Sequence, residues 1–440
     1  MTVTASATAF FLAAAVILLV CRLVSWVVGK AGQAPVVGEM IAGVLLGPSL
    51  LGLLWPASQT FLFPQAIRPL IYLAGQIGLV GFMFQAGYEF TTHRPKGAVR
   101  SAVVVSSAGT LVPLVLGTTV TLLLGNWAGV FVPGVSLPVS AGFVGVALAI
   151  TAFPMLARII SERGLAGTRF GSIALACGAM DDVVAWVLLA VVVGAAAGSA
   201  GPIWLALGGA VVFGIAVLTL GRRFLAWAMA RESLGEDKRL LLTVIVLFGA
   251  AYFTDRIGLY AVFGAFCVGM VLPHVPAADR VMAAIGPVIR IVFLPLFFVY
   301  SGLNTRFALL GDPKLLLFTL ACVVVAVVGK LGSCWAAARA AGEPGPVAVR
   351  VGVLMNARGL MQLIALNVGL AAGIVSGSLF TALVVVALVT TIMTTPVLSL
   401  LDRRDGARLA EVDPLPVDLP PPASEPAAER VPAVVAPSTD

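Results

Sequence analysis

About thirteen apolar runs, each close to the twenty residues a helix needs to cross a bilayer, follow one another with only short polar breaks. They cover roughly residues 5–29, 36–54, 69–90, 100–124, 139–161, 169–197, 203–224, 240–255, 257–273, 283–303, 315–338, 350–372 and 378–401. Such a chain has little choice of fold. In lipid each backbone N–H and C=O must be satisfied internally, so segments of this length are read as helices and the fold class as an all-α membrane protein. Composition agrees, because 60% hydrophobic against 11% charged residues leaves too little polar surface to clothe a water-soluble domain of this size. The first run has no basic n-region and no A-x-A site before a polar start, so it reads as a retained helix rather than a signal peptide.

The net charge of +7 lies in the connections, not in one patch, and therefore speaks of topology rather than nucleic acid. Lys30, Arg94, Lys96, Arg100, Arg163, Arg169, the block from Arg222 to Arg239, Arg280, Arg339, Arg350, Arg403 and Arg404 fall on one side if the helix number is odd. Arg68, Arg256, Arg306 and Lys314 fall on the other. Positive charge favours the cytoplasm, so the expectation is a multi-pass plasma-membrane protein with its N-terminus outside and its C-terminus inside. Cys21, Cys177, Cys267, Cys322 and Cys334 are scattered through apolar runs without metal-binding spacing and read as small core residues. Residues 1–401 form the expected transmembrane domain, and the proline- and alanine-rich stretch 402–440 a disordered cytoplasmic tail. No G-x-G-x-x-G after a strand and no P-loop occurs. The reading therefore expects no cofactor, no nucleotide-binding regulatory domain, and a transporter rather than an enzyme.

Four ionisable residues remain inside apolar spans: Asp181, Asp182, Lys330 and Arg358. A charged side chain at the bilayer centre costs about 2.5 kcal/mol or more even on the mildest scale, unless something binds it. Cations and protons bind carboxylates. Adjacent helical residues point about 100° apart, so one aspartate can face a protein partner while the other faces a water-filled path. Lys330, in VVVAVVGKLGSC, is the obvious protein partner. A bound cation also needs oxygen ligands, which an intact helix hides in its own hydrogen bonds. In VALAITAFPMLARII, Pro154 removes one backbone donor and clashes with the carbonyl of Ile150, beside Thr151, whose hydroxyl can serve the freed groups or an ion. A plain proline kink is the simpler alternative. A second interruption is read at Asn356, Arg358 and Gly359, with Arg358 capping freed carbonyls rather than acting as a ligand.

The two interrupted spans occupy corresponding places in two halves, and each is followed by a helix with polar residues in its middle, Asp181 and Asp182 in one and Thr390, Thr391, Thr394 and Thr395 in the other. If the basic loops are to stay inside, the halves are inverted repeats with crossing broken helices, a transporter architecture. Glu39 and Glu89 read as solvated or packing residues near span ends, His93 and His274 as loop residues, and Gln85 as lining the core.

The strings GEMIAGVLLGPSLLG, ITAFPMLARII, GAMDDVVAWVLLA, LPLFFVYSGLNT and MNARGLMQLIALNVG, in this order over about residues 10–400, resemble the second branch of the monovalent cation:proton antiporters. The resemblance implies the NhaA-type fold and a homodimer with a static dimerisation domain and a mobile core. It implies that Asp182 is the ion-binding carboxylate, Asp181 the preceding acid, Lys330 the pairing lysine and Thr151 the broken-helix residue. The paired aspartates imply electrogenic exchange. Leu360 and Met361 stand where many potassium-efflux relatives carry an acid after the glycine, so Na+ and K+ both remain open as substrates. The expected mechanism is alternating access, with the transported monovalent cation and the proton competing for Asp182. A proton-driven exporter of a cation-complexed small molecule on the same fold is the nearest alternative. A cation channel would show a repeated filter sequence, and an intramembrane aspartyl protease would place its two aspartates on separate helices.

Overall fold

The computed structural model describes residues 3–92, 99–165, 167–196 and 201–413. Nineteen α-helices and no strand are found among them. In order they are α1 Val3–Lys30, α2 Pro35–Leu46, α3 Leu51–Leu54, α4 Pro56–Leu62, α5 Arg68–Thr92, α6 Val99–Leu124, α7 Leu137–Ala149, α8 Phe153–Glu162, α9 Arg169–Ala196 and α10 Gly201–Ala216. They continue with α11 Arg222–Ala230, α12 Glu236–Arg256, α13 Ala261–Val271, α14 Pro276–Val288, α15 Leu294–Leu303, α16 Pro313–Ala340, α17 Gly345–Met355, α18 Gly359–Ala371 and α19 Gly377–Val412. Eleven segments among the described residues are long and apolar enough to cross a membrane. The charge-ended α12 and the short apolar α13 fall between two of them, so the chain follows the order of the runs read from the sequence. The run expected at 257–273 is helical over only eleven residues, because Gly258 at φ +84° and Tyr260 at φ +63° turn the chain before α13 begins.

Packing sorts the helices into two groups. The groups α1, α2, α5, α13 and α15, and α6, α7, α9, α16, α17 and α19, make their most extensive contacts internally. A separate apolar core in the first group joins Ile17, Phe63, Ile71, Leu296 and Val299. There α2 and α15 approach until a β-carbon on Gly302 would collide with the carbonyl of Gly43, which is why both positions are glycine. Close backbone approaches between the groups are few, although side chains pack across the boundary, as Phe153 of α8 does on Phe90 and Phe266; a polar contact there is the bond from Gln33 Nε2 to the carbonyl of Ile392 at 2.9 Å. Apolar side chains also face outward, as the bilayer requires: Phe11, Leu19 and Trp26 on α1 are all more than half exposed.

Both expected interruptions exist. Between α7 and α8 the chain leaves the helix at Ile150, whose ψ is 133°, and re-enters it at Phe153. Pro154 thus sits in the first turn of α8, where a missing N–H costs nothing, rather than in the middle of a kinked helix. Between α17 and α18 the break is Asn356 to Arg358, and Gly359 follows at φ +45°, a conformation that favours glycine. The breaks touch, because the N–H of Ala152 bonds the carbonyl of Ala357 at 3.1 Å.

The last helix differs from the expectation at its end. It continues to Val412, past residue 402, where the sequence reading places the start of a disordered tail, and residues 414–440 lie outside the described residues. Asp402 in that extension pairs with Arg350 at 3.0 Å, and Asp413 accepts from the backbone N–H groups of Arg169 and Phe170 at 2.8 and 3.2 Å. A carboxylate thereby closes the positive N-terminus of α9, the helix that carries both membrane aspartates.

Candidate functional site

Four half-helices end where the two breaks meet, and each brings a partial charge. The C-termini of α7 and α17 present carbonyl oxygens, and the N-termini of α8 and α18 present N–H groups. Basic side chains answer the carbonyls. Lys330 Nζ, from α16, donates to Ala149 at 2.7 Å, and the Arg358 guanidinium donates to Ala147 at 3.3 Å, to Leu148, and to Ala326 of α16 at 3.1 Å. Arg358 is fully buried. It caps released carbonyls, as the sequence suggested, and its planar fork suits several at once. At the start of α18, the N–H of Gly359 finds the hydroxyl of Thr391 at 2.9 Å.

Asp181 and Asp182 face this crossing from α9, and their surroundings differ completely. Asp181 Oδ2 receives Lys330 Nζ at 2.8 Å and Thr151 Oγ1 at 2.7 Å, while Oδ1 receives Ser106 at 2.6 Å and Thr110 at 3.3 Å. Both lone-pair sets of that carboxylate are occupied. Asp182 is fully buried, and neither of its oxygens has a hydrogen-bond partner of normal geometry, although the N–H of Phe153 at the start of α8 lies within electrostatic reach. A buried polar atom without a partner is rare, and a buried carboxylate without one more so.

The site therefore gathers Asp181, Asp182, Thr151, Lys330, Arg358 and Gly359. Asn356 caps α17, reaching Met393 Sδ with its nitrogen and leaving its oxygen unpaired. Thr151, read from the sequence as able to serve the freed backbone groups or an ion, has its hydroxyl engaged by Asp181. The helical rotation between the two aspartates decides this, and sequence order does not reveal which one the break faces. Two residues were missed. Ser106 and Thr110 lie four apart on α6, hence on one face of an apolar helix, and that spacing was the available signal. Gly109 between them leaves room for the lysine, since a β-carbon there would press on Cys334 Sγ at 2.5 Å and stand 3.7 Å from Lys330 Nζ. Gly178, one turn before Asp181, lets α9 lie against Leu156 and Phe153 of α8. The threonines of α19 mostly return their hydroxyls to their own helix: Thr390 to Val386 at 2.8 Å, Thr394 to Thr390 at 2.9 Å.

Elsewhere, Glu39 lies within electrostatic reach of Arg158 on α8. His274 stacks on Tyr88 with ring centroids 4.3 Å apart, and His93 falls outside the described residues. Gln85 is buried, consistent with a core-lining position. Between α16 and α17, Glu343 accepts from Arg169 at 2.6 Å and from Ser101 at 2.6 Å. Burial works to raise the Glu343 carboxyl, but those bonds and the Arg169 charge outweigh it and hold the group below the ordinary carboxylate value. All five cysteines are free, and four are buried, as expected of small core residues.

Paired half-helices crossing at unwound backbone, with buried charges at the crossing, define a secondary transporter. The chain belongs to the sodium/hydrogen exchanger family, whose transmembrane model matches residues 12–401. It is similar to the Na(+)/H(+) antiporter NhaS4 of Synechocystis, 36% identical over 397 residues that cover 87% of this chain and 94% of that protein. It is also similar to K(+)/H(+) antiporter 1 of Saccharomyces cerevisiae, 32% identical over 420 residues, 91% of this chain and 47% of that one. The chain thus spans nearly all of the cyanobacterial relative but about half the length of the yeast one and of Cation/H(+) antiporter 17 of Arabidopsis thaliana, to which it is 33% identical over 404 residues, 90% of this chain and 49% of that one. Among solved structures the sodium proton antiporter MjNhaP1 of Methanocaldococcus jannaschii superposes with a TM-score of 0.64 at 15% identity, covering 93% of this chain and 99% of that one. At that identity the likeness establishes the fold.

Proposed function

We propose that this protein exchanges a monovalent cation, Na+ or K+, for protons across the plasma membrane by alternating access, with Asp182 as the shared binding group. The observation that carries the reading is the contrast between the two aspartates: four donors hold Asp181, whereas no side chain donates to Asp182 and only the Phe153 N–H lies near it. With all four ionised, two carboxylates and two basic side chains sum to zero. Asp181 is matched by Lys330, but the charge of Asp182 has only distant compensation, so that carboxylate is stable with a proton or with a cation on it and poorly with neither. One proton leaves as one cation arrives. Both cannot occupy the same oxygens, and this exclusion is what makes the process an exchange.

Asp182 is sealed from solvent, so loading from either face requires movement. The few close backbone approaches between the two helix groups support a core of α6 to α9 and α16 to α19 sliding against α1, α2, α5, α13 and α15. The Asp181–Lys330 pair supplies a second titratable unit one position away, and its opening as Asp182 loads would carry a further proton and make the exchange electrogenic. The homodimer, the outside N-terminus and the cytoplasmic C-terminus belong to the same reading and rest on the family and on the basic loops.

Asp182→Asn keeps the size of the side chain and removes its charge. In everted membrane vesicles it should abolish the cation-induced collapse of a pH gradient followed with a fluorescent dye. Unimpaired exchange by that variant would refute the assignment.

A further inference from the structure

A cavity of about 190 Å³ lies between α18 and the other helix group, lined by Tyr72 and Gln76 of α5, Asp255 of α12, Tyr260 before α13 and Asn367 of α18, with apolar side chains completing the wall. It holds the volume of roughly six waters at ~30 Å³ each, enough for a cation that keeps part of its hydration. The cavity shares none of its lining residues with the crossing, and it sits at the end of the bundle where Arg68 and Arg256 mark the outer side in the proposed topology.

Three separate features point to a ligand there. Asn367 is only 6% exposed, and its Nδ2 donates to Ser301 Oγ at 2.7 Å and to the carbonyl of Leu363 at 2.8 Å. A carbonyl can only accept, so the amide orientation is fixed and Asn367 Oδ1 is left as a buried acceptor without a donor. A hydrogen-bond donor or a cation satisfies such an oxygen, and the acidic neighbour favours the cation. Of the described lining residues only Asp255 is charged, and it shares the wall with Tyr72 and Tyr260. Finally, Tyr260 is the one non-glycine residue with positive φ among the described residues, at φ 63° and ψ 145°. That region suits glycine and costs a bulky residue on the order of 1–3 kcal/mol. The strained backbone holds the tyrosine in the cavity wall, a residue that carries a further oxygen.

We propose that this cavity is a second cation station, an outer docking site at which a partly hydrated monovalent cation rests on Asp255, Asn367 Oδ1 and the tyrosine hydroxyls. The inference rests on the exchange reading above and adds a place where the cation waits. One wall belongs to α18, which begins at the crossing with Gly359 and Arg358, and the other belongs to the opposite helix group. Sliding of the groups changes the cavity's shape, so occupancy and movement are linked. A site of one charge sign raises the local cation concentration and speeds loading.

The test uses the full-length protein, with sodium NMR linewidth titrations of the detergent-solubilised form and cation-dependent exchange in liposomes. The wild type should show two classes of sodium binding, and Asp182→Asn should keep the weaker one. In that background Asp255→Asn, an exposed position safe for folding, should weaken the remaining class by about tenfold, and Asn367→Leu should remove it. In otherwise wild-type protein, Asp255→Asn should raise the half-saturating cation concentration about tenfold. The proposal is overturned if Asp182→Asn removes all specific binding, or if Asp255→Asn leaves both the residual binding and the half-saturating concentration as they were. Failure of the exchange reading looks different: both binding classes would survive Asp182→Asn, while Asn367→Leu would still remove one of them.

Discussion

With four donors on Asp181, removing its charge strands Lys330 in a buried site beside neutral groups. Breaking such a pair by one partner costs about 3–5 kcal/mol, whereas replacing both partners by apolar groups is often close to neutral. Asp181→Asn should therefore lower the unfolding temperature in detergent, and Asp181→Leu combined with Lys330→Met should recover most of the loss; a double variant worse than the sum of its parts would count against the pair as a closed unit. At this scale the sequence was informative wherever a charge interrupted an apolar run. Asp181, Asp182, Lys330 and Arg358 were legible because each is costly in lipid. The division of labour between the aspartates was not, since it depends on which of two neighbouring helix faces meets the break. Ser106 and Thr110 were half-legible from their spacing, and Glu343 and Asp413 not at all, because their partners lie 174 and 244 residues away in the chain.

The interrupted helices owe their form to different devices. Ile150 to Ala152 stay out of the helix because the next break supplies the hydrogen bond that a helix would have given, and Arg358 holds the carbonyls left behind in α7. Arg358→Lys keeps the charge but loses the fork, and should cut exchange strongly while the protein still assembles in the membrane; activity near wild type would show that the charge alone suffices. At the cytoplasmic end of the proposed topology, Glu343 ties α6 and α9 to the turn before α17. Its carboxyl is held low in the folded protein, so the stabilisation is fully present above the ordinary carboxylate range and is lost as pH falls through the lowered value. Wild type should therefore be more heat-stable than Glu343→Gln at neutral pH, and the difference should vanish in acid; a gap that grows with acidification would reverse the sign of the argument. The misplaced tail boundary has a plain cause: DRRDGARLAEV looks like a polar tail, yet arginine, alanine, leucine and glutamate are good helix formers, and Asp402 and Asp413 give the extension partners on the membrane domain.

Across the whole molecule, the fold was readable because bilayer thickness and backbone chemistry leave so few alternatives, and the two crossing breaks were found at the places the half-protein pattern named. What the apolar runs could not convey was the sorting into two packing groups, which depends on contacts between distant helices. If those groups slide past each other, tying them together should stop transport. Cysteines introduced at Gln33 and Ile392, whose side chain and carbonyl already meet across the boundary, should allow a short reducible thiol reagent to arrest exchange, with recovery on reduction. The most direct measurement is the affinity of purified protein for radiolabelled sodium or rubidium as a function of pH. A single carboxylate shared in turn by proton and cation predicts that the dissociation constant rises about tenfold for each unit of acidification below its titration, and that Asp182→Asn abolishes this class of sites. Cation affinity at the Asp182-dependent site that does not change with pH would contradict the account.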